Sequence, residues 1–344
     1  MQVELTQAGK LLDPMGRLSQ VGWSRQPLLD CNLENAHFYS LKIFQRFRIK
    51  RWDYYAVFTP QWFFSATIAD LGYAGNIFVY IFDFASGELH EEGLVLPLSK
   101  GISLPRNSDQ GESIFEDKQA RLNFKVVPQG RHISVTWPGY HGGRGISADI
   151  LLHQRPDHES MTIVIPIGQR RFYYNRKINC LPAEGSLQYG DIRETLSPIN
   201  CLGCLDWGRG VWEYQSFWNW ASALGFLADG QTVGLNLGCG FGDLSAATEN
   251  CLMLSGKVHK LDQVKFGYDA NDFMHPWTFT DSDDRLRLEF TPFKERVAKT
   301  NLGIIFSEVH QMLGKYSGTI RSDEGVIIHI DNLIGFAEEH QARW

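Results

Sequence analysis

The residues best suited to chemistry crowd into one tract, DWGRGVWEYQSFWNWASALGFLADGQTVGLNLGCGFGDLSAATEN, from Asp206 to Asn250. Asp206, Glu213, Asp243 and Glu249 are its candidate acids, and Trp207, Trp212, Trp218 and Trp220 stand among them. A carboxyl group walled by aromatics loses hydration, so its pKa rises and it can protonate an alkene or a leaving oxygen near neutral pH. Indole faces then stabilise the cation that forms. Glu249, beside Asn250 in a small-polar run, is the first choice among the four. For each acid the competing reading is a structural ion pair, with Arg209 a natural partner. Arg209 lies between Gly208 and Gly210, with Trp207 and Trp212 on either side. It could clamp a ligand carboxylate or carbonyl, or be buried and tie two barrels together through an acid. Asn219, Asn236 and Asn250 supply hydrogen-bonding groups. Asn219 falls on the opposite strand face from Trp218 and Trp220, and would line one interior with Asn236 if their strands pair. Paired carboxylates would also suit glycoside hydrolysis, where their separation sets the outcome.

Other chemistries have weaker signals. His329 and Asp331 fall on one face of the last strand, either toward a cavity or toward solvent. The 11 histidines show no HExxH spacing, and no GxSxG elbow presents a nucleophile. Cys201 and Cys204 form a lone CxxC whose spacing to Cys239 and Cys251 is not that of a zinc ribbon, so buried apolar fillers are expected and no metal. Gly238–Gly242 is glycine-rich but runs from strand into turn, not into a helix, so no nucleotide fold and no cofactor is expected.

The elements that must position these groups read as strands. With 22 Phe, 12 Tyr, 10 Trp and 33 Gly in 344 residues, the composition suits β-structure with many turns. Asp229-Gly230 is a tight-turn signal inside the tract. Ala120–Pro138 reads as a hairpin across Pro128-Gln129-Gly130, with Leu122, Phe124 and Val126 facing Ile133, Val135 and Trp137. Residues 158–180 add an aromatic patch (Phe172, Tyr173, Tyr174) and Lys177. The segment FVYIFDFASGELHEEG is echoed faintly by NCLMLSGKVHKLDQ, as two barrels of similar plan would require. The expected layout is an N-terminal arm with a short helix capped by Asn32 (residues 1–43), a first β-barrel domain (44–183) and a second (184–344) that carries the tract. The junction is placed at Glu184-Gly185 and the polar run to Asn200. The net charge of -6 is dispersed, which argues against a nucleic-acid partner. No apolar run is long enough to span a bilayer, so a cytoplasmic protein with a small-molecule partner is expected.

The GRGVW run (Gly208–Trp212), WNWAS (Trp218–Ser222), GLNLG (Gly234–Gly238), TEN (Thr248–Asn250) and the ending NLIGFAEE (Asn332–Glu339) resemble the domain of unknown function 2804 family. The plan is more distantly similar to lipocalin-like two-barrel proteins, among them hydratases and cyclising enzymes. That resemblance implies an all-β fold of two lipocalin-like (calycin-type) antiparallel barrels or half-barrels, packed side by side. It also implies a cofactor-independent hydration, isomerisation or cyclisation of a partly hydrophobic substrate in a barrel cavity. A lipid or pigment carrier and a carbohydrate-active enzyme remain as alternatives.

Overall fold

In the computed structural model, residues 2–37, 39, 41–301, 303 and 305–343 are described. They form two curled antiparallel β-sheets, half-barrels packed against one another. In the first, Ile49–Phe58, Trp62–Asp70, Ala74–Asp83 and Leu89–Pro97 make a meander. Leu202–Val211 pairs back onto the first of these strands. Beyond it follow Phe172–Tyr189, Ile146–His153, Gly130–Trp137, Arg121–Val127, Glu112–Glu116 and Ile102–Ser103.

The second sheet repeats the plan. Its meander is Gln215–Phe226, Thr232–Cys239, Cys251–Leu254 and Lys257–Lys260. The final strand, Ile327–Arg343, pairs back onto Gln215–Phe226, and Phe306–Arg321, Leu286–Asn301, Trp277–Asp281 and Val264–Gly267 follow. The two segments that echo each other in sequence occupy equivalent places, the hairpin of third and fourth strands in each sheet.

Period-2 alternation gives each sheet an interior face and an opposite face that is buried only where the sheets meet, as along Leu202–Val211, and exposed along Leu286–Asn301. Trp62, Phe64, Phe115, Leu122, Ile133 and their neighbours fill the interior of the first sheet. Trp277, Phe279, Phe290, Met312 and Tyr316 fill the interior of the second. The opposite faces meet in a seam packed by Tyr54, Phe58, Phe63, Tyr80, Trp220, Leu313 and Phe336. The strand Phe172–Tyr189 breaks register between Ile178 and Leu181. There Asn179 reaches across the seam and donates to Ser222 Oγ at 3.0 Å and to the Leu235 carbonyl at 2.8 Å.

Three expectations are corrected. The arm holds two short 3-10 turns, Leu33–Asn35 and Lys42–Phe47, in place of one helix. Asn32 does not cap; its side chain bonds the backbone of Leu12 in both directions at 2.8 Å. Glu184-Gly185 lies inside the strand Phe172–Tyr189, and Leu202–Val211 belongs to the first sheet, so the chain changes sheet between Val211 and Gln215. The Asp206–Asn250 tract therefore belongs to both sheets. No helix among the described residues is long and apolar enough to cross a membrane.

Candidate active site in the seam between the sheets

Strand pairing and alternation decide where each candidate residue goes. Cys204 and Asp206 face the seam, while Leu205 and Trp207 face the interior of the first sheet. Lys177 is the direct cross-strand partner of Asp206 and points the same way. Its Nζ lies 2.8 Å from Asp206 Oδ2 and 3.5 Å from Glu249 Oε2, with the lysine side chain only 4% exposed. The same ammonium sits 3.8 Å from the centre of the Trp220 ring. Burial alone would push the Lys177 amine down, but Asp206 and Glu249 outweigh it and hold the pKa above its ordinary value.

Amides lock the carboxylates in place. Asn175 donates to Asp206 Oδ1 at 2.6 Å. Asn236 accepts from the Trp220 indole at 2.7 Å and donates to Glu249 Oε2 at 3.2 Å. Asn250 fixes the backbone beside Glu249, accepting from Gly238 N at 2.6 Å and donating to the Asp262 carbonyl at 2.8 Å. Lys260 bonds Thr248 Oγ1 at 2.7 Å and the Asn250 carbonyl at 3.1 Å, and burial lowers its pKa to about 8. The TEN triplet is thus gripped on both sides of its acid.

Glu249 opens on a cavity of about 10 Å³, lined also by Ile163, Ile165, Tyr173, Gly238, Phe241 and Leu244. That is room for about one water molecule. Phe241 and Leu244, on the loop 240–250, form part of this lining. This loop is held by hydrogen bonds from Asp243 N to the Pro166 carbonyl and from Thr248 N to the Gln2 side chain. Gly238 is glycine for a steric reason: a Cβ there would stand 2.1 Å from Glu249 Oε1. Gly238→Ala should therefore displace the carboxylate and cost about 1–3 kcal/mol. Both changes are read by urea unfolding, where Gly139→Ala, with nothing within 4 Å of its added Cβ, should be close to neutral.

The other expected residues disperse. Glu213 is exposed and sits 3.5 Å from Arg171. Asp243 is exposed and caps a turn, and its hydrogen bonds from Ser245 hold its pKa down. Neither is near the cluster in the manner an acid catalyst requires. Arg209 is fully buried in an ion pair with Asp53 at 2.8 Å and donates to the Trp52 carbonyl at 2.7 Å. It is buried and paired with an acid, but it ties neighbouring strands of the first sheet and not two barrels. Gly208 makes room for the Trp52 ring, which would lie 2.2 Å from an added Cβ. Trp207 belongs to the interior of the first sheet, and Trp212 packs with Tyr173 and Trp52. Trp218 borders the seam and packs at a tilt against His340, ring centres 4.0 Å apart. The strands of Asn219 and Asn236 do pair, but Asn219 bonds Tyr268 at 3.2 Å on the far face while Asn236 faces the seam. They do not share an interior. His329 and Asp331 are exposed.

Two members of the cluster were not chosen from sequence. Lys177 drew notice only beside an aromatic patch, although alternation sets Tyr173, Asn175 and Lys177 on one strand face. Glu338 lies within NLIGFAEE and faces the seam, 6% exposed. Among the described residues no three His, Cys, Asp or Glu side chains are grouped to hold a metal ion, and Cys201 and Cys204 are buried thiols.

The chain is similar to several solved structures. An AttH-like protein of Nitrosomonas europaea is 13% identical over 90% of this chain and 96% of its own, with a TM-score of 0.52. Kievitone hydratase from Nectria haematococca is 11% identical over 86% and 88%, with a TM-score of 0.45. The protein CghA is 11% identical over 98% and 97%, with a TM-score of 0.43. At 13% identity the first of these likenesses is one of fold alone. A comparison with curated proteins returns no match. The family model for the domain of unknown function DUF2804 matches residues 2–344, so the chain belongs to that family.

Proposed function

We propose that this chain is a cofactor-independent enzyme. It would move a proton onto or off a small, partly hydrophobic organic molecule, in hydration, isomerisation or cyclisation. The observation that carries the reading is the buried Lys177 ammonium, shared by Asp206 and Glu249 beneath the Trp220 ring, with Glu249 opening on an apolar cavity. The Glu249 carboxylate, held by Lys177 and Asn236, would take a proton from a substrate carbon, leave the electron pair in the substrate, and give the proton back to another carbon. In hydration it would take the proton of water as the oxygen adds to one carbon, and pass that proton to the neighbouring carbon. Tyr173 and Phe241 would supply apolar walls for the substrate. A reaction of this kind needs the loop 240–250 to move, because the cavity as it stands admits about one water.

The site moves relative to the sequence reading, from the inside of a barrel to the seam between two. Packed side chains occupy both sheet interiors, which weighs against a long lipid or pigment channel. Asp206 and Glu249 both point at Lys177, which weighs against two carboxylates facing each other across an open sugar cleft.

The test is to incubate the protein in D2O with a panel of small unsaturated compounds. Deuterium bound to carbon is then read by mass spectrometry. The proposal expects a compound that gains label with the native protein and not with Glu249→Gln. Binding with no label in any compound would favour a carrier, and equal labelling by both proteins would remove Glu249 from the chemistry.

A further inference from the structure

The seam holds more carboxyl groups than cations can serve. Lys177 is taken by Asp206 and Glu249. Arg296 is taken by Glu91, in a two-pronged contact at 2.8 and 2.6 Å. Glu338 lies between these pairs, cross-strand from both Trp220 and Gln311, and has no cation within 4 Å among the described residues. Its hydrogen bonds come from neutral donors, Gln311 Nε2 at 2.8 Å and the Trp218 side chain. Gln311 in turn accepts from Tyr80 at 2.8 Å, and Tyr80 bonds Tyr54 at 3.0 Å. Tyr54 is the cross-strand neighbour of Asp206, so the chain of polar groups returns to the Lys177 cluster.

We infer that Glu338 is the proton-bearing carboxyl of the seam, a positioning residue whose neutral form leaves Lys177 to Asp206 and Glu249. A third carboxylate on the same face would compete for that ammonium. Ionising Glu338 would then loosen the hold of Lys177 on Glu249, which makes the proposed chemistry sensitive to pH through a group that does not touch the cavity. The inference rests on the reading of the seam as an acid–base site. Burial raises the Glu338 pKa to about 7, against the smaller opposing pull of Arg296, Gln311, Lys177 and Trp218. The charged groups that act on it are Arg296 and Lys177, whose own partners are Glu91, Asp206 and Glu249, and Tyr80 reaches it through Gln311. His340, two residues on, is held down to about 3 by burial and by Arg296, so it stays neutral across the same window.

The sign of the stability effect follows. Between its ordinary value of 4.5 and about 7, the unfolded chain has released this proton and the fold has kept it. Stability contributed at this site therefore falls as pH rises through that window and levels off above it.

The experiment is an infrared titration of the native protein between pH 5.5 and 8, with Glu338→Gln as the reference. The protonated-carboxyl C=O band should disappear with a midpoint near pH 7 in the native protein and be missing from the variant. The variant's melting temperature should fall less over the same range. A flat carboxyl region in the native protein would overturn the inference even if the variant fails to fold. So would an identical titration in the variant. The infrared band reports Glu338 alone, whereas deuterium transfer to substrate reports Glu249, so either idea can fail without the other.

Discussion

Lys177→Met should lower the unfolding free energy by about 3–5 kcal/mol, read as a drop in the urea midpoint at neutral pH. The reason is the charge left behind. Asp206 and Glu249 would remain in the seam with no ammonium, and their hydrogen bonds from Asn175 and Asn236 do not replace it. Dispersion alone predicts far less, because methionine fills nearly the same volume. Neutralising the partners as well, in Lys177→Met with Asp206→Asn and Glu249→Gln, should recover most of the loss. A triple variant no more stable than the single one would mean that the lysine's packing, not its charge, holds the seam.

Glu249→Gln is the second large effect, and it falls on rate. Once a substrate is identified, this change should lower kcat by about 10²–10⁴-fold, the usual contribution of a placed acid–base group. The amide keeps the shape of the carboxyl and can still bond Asn236. The fold should therefore survive, with a KM changed far less than kcat. Glu213→Gln and Asp243→Asn serve as controls, because both side chains are exposed and outside the cluster. Equal loss in the controls would point to a site elsewhere on the chain.

Local signals carried the reading a long way. Asp229-Gly230 does join Gln215–Phe226 to Thr232–Cys239, and Leu122 and Phe124 pair with Val135 and Ile133 across the expected hairpin. Those features depend on neighbours in sequence, where turn chemistry and period 2 suffice. The paired half-barrels were legible too, down to the echo that marks equivalent hairpins.

Partner strands were not. The polar run before Asn200 looks like a linker, yet the strand after it returns to pair with Ile49–Phe58. That pairing splits the tract between two sheets. Alternation then parts Asp206 from Trp207 and Arg209, which were grouped because they are adjacent in the chain. Lys177 meets Asp206 only through the register of two strands, and Glu338 joins them from the far end of the sequence. The acid picked first, Glu249, lies in the cluster. Its cation was out of reach of any local pattern.

The account puts substrate between the sheets and not inside either one, and the tryptophans are distributed so as to report this. Trp220 and Trp218 border the seam, Trp62, Trp137 and Trp207 lie in the first interior, and Trp277 lies in the second. The direct measurement is the 15N-indole NMR spectrum during titration with a compound that gains deuterium. The account predicts that the Trp220 and Trp218 signals move while those of Trp62, Trp137, Trp207 and Trp277 stay. Shifts confined to Trp277, or to the three indoles of the first interior, would contradict it.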